Sequence, residues 1–184
     1  MTGGPRRARA PAFVLALAVL GAGPARGQRG SGERDKPAGG ALVDAVDHYR
    51  IAVAPGWRAI SPPEGTLVAY QAPTGRAYLA ITRVEVGTRR ARDPAALAEA
   101  VERGVERATP GYRRVRRKLG QAGESRSPIL DLAYERAPPP ERVMSRYLFF
   151  TRHTVVLSIG LEAGAGRSER RAAEAMVKSF TPTE

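Results

Sequence analysis

Histidine is scarce in this chain: His48 and His153 are its only two imidazoles. His48 closes the run DAVDH, residues 44–48, in which Asp44, Asp47 and His48 could be drawn as a metal cluster. The spacing fits no strong ligand signature, and neighbours on a strand point to opposite faces, so no metal site is expected. His153 opens the most apolar run of the chain and reads as a hairpin-end residue rather than a general base. Asp131 and Glu135 would share one strand face, where the acid and base of an envelope hydrolase could sit. Two carboxylates on a surface strand are ordinarily solvated, and nothing near them in sequence predicts a displaced pKa. The loop GLEAGAGRS, residues 160–168, lies where a strand meets a helix, a setting in which amide donors can meet an anion. Its Gly164-x-Gly166 pair lacks a third glycine, Glu169 standing in that place, and a flexible turn is the expected reading.

The strongest local anomaly is YRRVRRKLG, residues 112–120. Strict strand alternation puts Arg114, Arg116 and Lys118 on one face with Tyr112. Arg113 and Arg117 then fall on the other with Val115 and Leu119. Two readings stay open: a solvated outer strand whose charges resist edge-to-edge aggregation, or a docking strip for an acidic protein surface, anionic lipid head groups or another polyanion. Nucleic acid is the least expected partner, because no stacking aromatics interleave the charges and the chain carries an export segment.

No Gly-x-Ser-x-Gly elbow, His-Glu-x-x-His helix or phosphate-binding Walker loop occurs in the chain. Cysteine is absent, which removes disulfides, thiolate metal sites, cysteine nucleophiles and cysteine-linked lipid anchors. No catalytic residue, cofactor or metal is therefore assigned. The formal charge is +12, from 30 basic and 18 acidic residues, and only Lys36, Lys118 and Lys178 among the basic residues are lysine. Abundant Arg, Ala, Gly and Pro with scarce Lys is the codon signature of a GC-rich genome, so basicity alone does not demonstrate a polyanionic partner.

The first segment is an address. Arg6, Arg7 and Arg9 precede an apolar run of 11 residues, 12–22, and small residues Ala25 and Gly27 stand at the minus-three and minus-one places of a cleavage before Gln28. That order predicts a secretory signal over residues 1–27 and a secreted or periplasmic chain. The run is short for an ordinary membrane span of about 20 residues, and an uncleaved anchor is the alternative. Cleavage removes four basic residues and no acidic one, leaving a formal charge of +8. Residues 28–44 follow as a Gly-rich, polar, flexible linker, and residues 45–184 as one folded domain.

These residues need positioning elements, and the pattern of apolar residues supplies them. Tyr49, Ile51 and Val53 alternate as a strand that ends at Pro55-Gly56 and the only tryptophan, Trp57. Pro presets a turn and Gly accepts unusual backbone angles, so packing of the indole at a sheet end is expected, with an exposed stacking residue as the alternative. Residues 66–71 and 77–84 read as two more strands around Pro73-Thr74-Gly75. Asp93 and Pro94 are an N-cap and first-turn pair, and Leu97, Val101, Val105 and Ala108 share a helical face before Thr109-Pro110-Gly111. Gly104 within that helix allows close packing on a sheet. Four strands follow, over 112–119, 129–136, 142–152 and 153–161, with a turn at 120–123. A closing helix over 168–179 turns Ala172, Ala175, Met176 and Ser179 inward. The predicted order is β-β-β-α-β-β-β-β-α: an α+β fold with an antiparallel sheet flanked by two helices.

The entry YRIAVAPGW, the hairpin around Pro73-Thr74-Gly75, the Asp93-Pro94 helix, the meander and the terminal MVKSF, in that order, resemble the PsbP-like superfamily. That group includes the photosystem II extrinsic subunit, a Ran-binding import factor and DcrB-like bacterial envelope proteins. The resemblance covers nearly all of residues 47–180. It implies a PsbP-like fold and a non-catalytic module that binds or assembles with a protein or envelope component, any membrane contact being peripheral. An envelope hydrolase with an unrecognised carboxylate site is the alternative. The residues expected to face an acidic partner are Arg114, Arg116 and Lys118.

Overall fold

The computed structural model describes residues 40–85 and 93–183. The predicted signal segment, residues 1–27, and the linker as far as residue 39 lie outside the described residues. The elements run β1 Gly40–Asp44, β2 Tyr49–Val53, β3 Arg58–Ile60, β4 Thr66–Gln71, β5 Ala77–Glu85, α1 Pro94–Ala108, β6 Arg113–Ala122, β7 Ser127–Arg136, β8 Glu141–Phe149, β9 His153–Glu162, α2 Arg167–Ser179 and β10 Thr181–Pro182. The fold is α+β with antiparallel pairing throughout, as expected.

The strands form two sheets, not one. A seven-stranded sheet has the order β3-β4-β5-β9-β8-β7-β6, and a three-stranded sheet has the order β1-β2-β10. The sequence pattern missed β1, β3 and β10 because they span five, three and two residues and offer little alternation. β1 also overturns the end of the expected linker: Gly40–Asp44 pairs with β2, placing Leu42 opposite Ile51, and Leu42 is buried. One buried apolar residue after a Gly-rich text gives too little alternation to declare a strand. β6 runs on to Ala122, so residues 120–122 are strand and the turn begins at Gly123, whose φ is 74°.

The helices cover opposite faces of the large sheet. Asp93 caps α1 by accepting from the Ala95 amide at 2.8 Å. Leu97, Ala98, Val101, Gly104 and Val105 of α1 are buried, and the helix packs on Leu130, Leu132, Tyr134, Val143 and Tyr147. On the other face, α2 and the small sheet enclose a core that includes Ile51, Leu79, Ile81, Leu157, Ile159 and Met176. β9 lies at the centre of the large sheet and is almost wholly buried.

The inner stripe of α2 differs from the expected one. Glu169, Ala173 and Met176 are buried, Phe180 follows on the same line, and Ala175 is exposed. Spacings of four, three and four residues carry that stripe. The expected stripe shares only Met176 with this one, because small alanines on several sides of the helix leave its rotation weakly marked. Trp57 is packed in the core at 2% exposure, which excludes the stacking alternative. Gly56 takes φ of 79° in the turn before it, and the Trp57 amide closes that turn on the Ala54 carbonyl at 3.3 Å.

Candidate interaction surface

Among the described residues β6 is an edge strand, hydrogen-bonded to β7 alone, and its residues 113–119 are all exposed. Among the described residues there are twenty Arg and Lys and fifteen Asp and Glu. Five of the basic ones lie between Arg113 and Lys118, and β6 contains no acid. The rest of the described domain is therefore balanced, and its whole excess of positive charge sits on this one edge. Codon bias spreads arginine along a chain; it does not account for that placement.

The three predicted strip residues do not share a face. Arg114 lies opposite Tyr134 and Arg116 opposite Ala133, so a β-bulge takes up Val115 between them. Adjacent residues of β7 point to opposite sides, and the extra residue therefore sends Arg114 to the α1 side. There the half-buried Glu102 of α1 accepts from Arg114 Nη1 at 2.9 Å and from the Tyr112 hydroxyl at 3.2 Å, and pairs with Arg117 Nε at 3.0 Å. Burial first, and then the Glu102 charge, pushes the Tyr112 hydroxyl well above its ordinary pKa. Arg116 and Lys118 remain on the α2 side, with Arg113, opposite Ala133, Asp131 and Glu135 respectively. Arg113 is bound by Glu135. Arg116 and Lys118 have no carboxylate partner among the described residues, so their charge is wholly uncompensated, while Arg114 and Arg117 share the single carboxylate of Glu102 and leave one positive charge over on the α1 side.

The other residues singled out in the sequence have structural duties. Asp131 and Glu135 do share a face. Asp131, however, accepts two hydrogen bonds from Arg146, at 2.6 and 2.9 Å, while Arg146 Nη1 also donates to the Lys178 and Phe180 carbonyls at 3.2 and 3.3 Å. The pair ties the sheet to the C-terminus of α2, where a cation is favoured. At the start of α2, Glu169 Oε2 accepts from the Gly166 amide at 2.8 Å, and its other oxygen binds the Thr74 hydroxyl. The helix therefore fills its own anion position. Asp44 accepts from the amides of Val46 and Asp47 at 2.9 and 3.0 Å, and Asp47 accepts from Arg83 at 2.7 Å. The carboxylates of DAVDH are thus a turn former and an ion-pair partner. His153 stacks on Phe150 with ring centroids 4.8 Å apart. Burial, and next the charge of Arg83, lowers its pKa.

A buried polar cluster went unread in the sequence. Glu141 binds the Tyr78 hydroxyl and Arg136, whose Nε donates at 2.6 Å. Burial and then the Glu141 charge drive the tyrosine pKa far upward, so the phenol stays protonated. The group lies over Gly160, where a Cβ would collide with both Tyr78 and Glu141. Gly160 in an otherwise apolar strand was the available signal: a strand glycine marks a close approach.

No protein-family model matches the chain, and no curated protein does. Solved structures do. Cyanobacterial PsbP from Synechocystis sp. PCC 6803 superposes with a TM-score of 0.55 at 12% identity, over 83% of this chain and 98% of that one. LpqN of Mycobacterium tuberculosis gives 0.57 at 12% identity, over 79% and 91%. A Mog1 protein gives 0.51 at 11% identity, over 79% and 96%. The fold is PsbP-like. Identities this low establish the PsbP-like architecture alone. They agree with the order of motifs from YRIAVAPGW to MVKSF, which spans the same domain. Within the PsbP-like fold of this chain, the charged edge β6 lies at the far end of the large sheet from β3.

Proposed function

We propose that this chain is an exported, non-catalytic interaction module that binds an acidic protein or anionic envelope component through the β6 end. One observation carries the reading: the net positive charge of the described domain is concentrated on β6, where Arg116 and Lys118 have no carboxylate partner among the described residues. Summed charges of one sign steer an oppositely charged partner and fix its register. The basic start, apolar run and small-residue site before Gln28 support export. The description of LpqN as involved in cell envelope biogenesis is in keeping with a role in the envelope. The carboxylates that an envelope hydrolase would need are engaged by Arg113, Arg136 and Arg146, which favours binding over catalysis.

The test is recovery of partners from an extract of the host's own envelope, using the exported chain and an Arg116→Gln/Lys118→Gln variant. The expected result is an acidic partner retained by the wild type, released by salt and lost by the variant. Retention by both, unaffected by salt, would move the binding site elsewhere. N-terminal sequencing of the native protein checks export: a start near Gln28 is expected, and an intact Met1 in the cytoplasm would refute it.

A further inference from the structure

We propose that β6 accepts an extended acidic segment of a partner protein as an added strand at the edge of the seven-stranded sheet. The inference rests on the reading of β6 as the partner-binding end and names how the partner is held.

The first ground is the free edge. Among the described residues β6 has a strand neighbour on one side only, and its portion 116–122 pairs with 127–133 without interruption. That straight portion is about 23 Å long at the usual rise of a strand. An edge of this kind presents a row of peptide donors and acceptors that another chain can use.

The second ground is the division of charge made by the bulge. Arg116 and Lys118 point to the α2 side, and Arg114 and Arg117 to the α1 side. A flat anionic surface laid on either face meets one set and leaves the other pointing away. A ligand that meets both must run along the edge itself, with its own side chains alternating to the two faces. This geometry favours a peptide strand over a lipid surface.

The third ground concerns which strand is admitted. A second copy of β6 would set Arg and Lys against Arg and Lys, and like charges directly opposite are destabilising. Acidic residues on both faces of the incoming strand are complementary. Leu119, on the α1 face and 40% exposed, calls for an apolar residue across from it. The segment is therefore extended and acidic at successive positions, with an apolar residue at one end of the acidic run. The charges that repel self-pairing are those that select this partner.

The test uses the full chain and a fluorescent, end-blocked peptide of Glu and Val residues, with the same peptide N-methylated throughout as a control of equal charge. Binding is followed by anisotropy, and amide hydrogen exchange is followed in β6. The expected result is binding of the parent peptide, weakening of about tenfold or more on methylation, and slowed exchange within 116–122. Raising salt from about 0.1 M to about 1 M, which shortens the screening length from about 10 Å to about 3 Å, should weaken it further. Equal binding of both peptides without protection of β6 would overturn strand addition and leave the acidic-partner reading standing. Absence of binding at about 1 mM peptide would overturn it as well, as would binding of phosphatidylglycerol vesicles in place of the peptide, or self-association of the chain through β6 in sedimentation. An Arg116→Gln/Lys118→Gln variant that keeps full, salt-sensitive binding to every acidic probe would overturn both readings together.

Discussion

Replacing Gly160 by Ala should be among the most damaging single-methyl changes in the molecule. Gly160 lies opposite Tyr78 in the β5–β9 ladder, and its added Cβ would fall far inside the 3.0 Å that real Cβ contacts respect, against both Glu141 Oε1 and the Tyr78 ring. The surroundings are close-packed, so the carboxylate has to shift on the order of 1 Å. A shift of that size is enough to stretch the 2.6 Å contact from Arg136 Nε to Glu141 beyond the good hydrogen-bond range. Glu141 has a side-chain exposure of 4%, so water replaces the lost partner poorly. Breaking a buried ion pair costs about 3–5 kcal/mol, against which the helpful effect of Gly→Ala on the unfolded chain is about 0.4–1 kcal/mol. The net loss is about 2–5 kcal/mol, read in urea unfolding, and corresponds to a fall of roughly 5–20 °C in Tm for a domain of this size. Combining Gly160→Ala with Glu141→Ala should cost less than the two separately, by about 1–3 kcal/mol, because both act on one cluster. A single-variant cost below about 1 kcal/mol, or strict additivity in the pair, would refute the account of Gly160 as the seat of the Tyr78–Glu141–Arg136 group.

Leu157→Ala, at the centre of the large sheet and fully buried, should cost about 2–5 kcal/mol in the same assay, and a smaller loss would show that β9 is not central to stability. Changing Arg116 and Lys118 together to Gln should leave Tm nearly unchanged while weakening acidic-partner binding; a sharp fall in Tm would make the two side chains structural. Arg114→Gln should instead act on stability, by about 0.2–1 kcal/mol, because its partner is Glu102 and its head is largely exposed. For His153 the folded pKa is lowered, so the folded state binds a proton less readily than the unfolded chain. Its contribution is fully present above the unfolded value of about 6.5 and is lost as pH falls through the folded value. His153→Asn should flatten the fall in stability between about pH 7 and pH 5, and identical pH profiles for the two proteins would refute this.

Long elements with a regular period were legible in the sequence, and short or cooperative ones were not. Residues 49–53, 66–71 and 77–84, the two helices and the apolar alternation of 153–161 all carry enough repeats to declare their type. β3 and β10 exist because neighbours recruit them: Ile60 pairs with Ala69, and Thr181 with Arg50. Buried charge was the other blind spot. Nothing in the local pattern marked Glu141, Glu169 or Arg146 as buried, because the groups that bind them lie 5 to 95 positions away in sequence or are backbone amides and carbonyls. The pattern of a single strand holds no trace of such partners.

β6 shows how one residue can redirect a functional reading. Alternation was the right rule for the strand, yet applied through Val115 it placed Arg114 on the wrong face. Val115 is an ordinary β-branched residue, 39% exposed, and gives no local sign of a bulge. What favours the bulge is tertiary. With it, Arg114 and Arg117 both reach Glu102 of α1, and the Tyr112 hydroxyl joins them. A regular ladder would exchange Arg113 and Arg114 between the two faces, taking Arg114 away from Glu102 and Arg113 away from Glu135. Removing Glu102 takes away that bias. Glu102→Gln should therefore loosen the 113–116 segment, seen as faster amide exchange there, while 117–122 keeps its pairing with β7. Unchanged exchange at Arg114 and Val115 would show that the bulge is held by the strand itself, and that the split of charge between the two faces does not depend on α1.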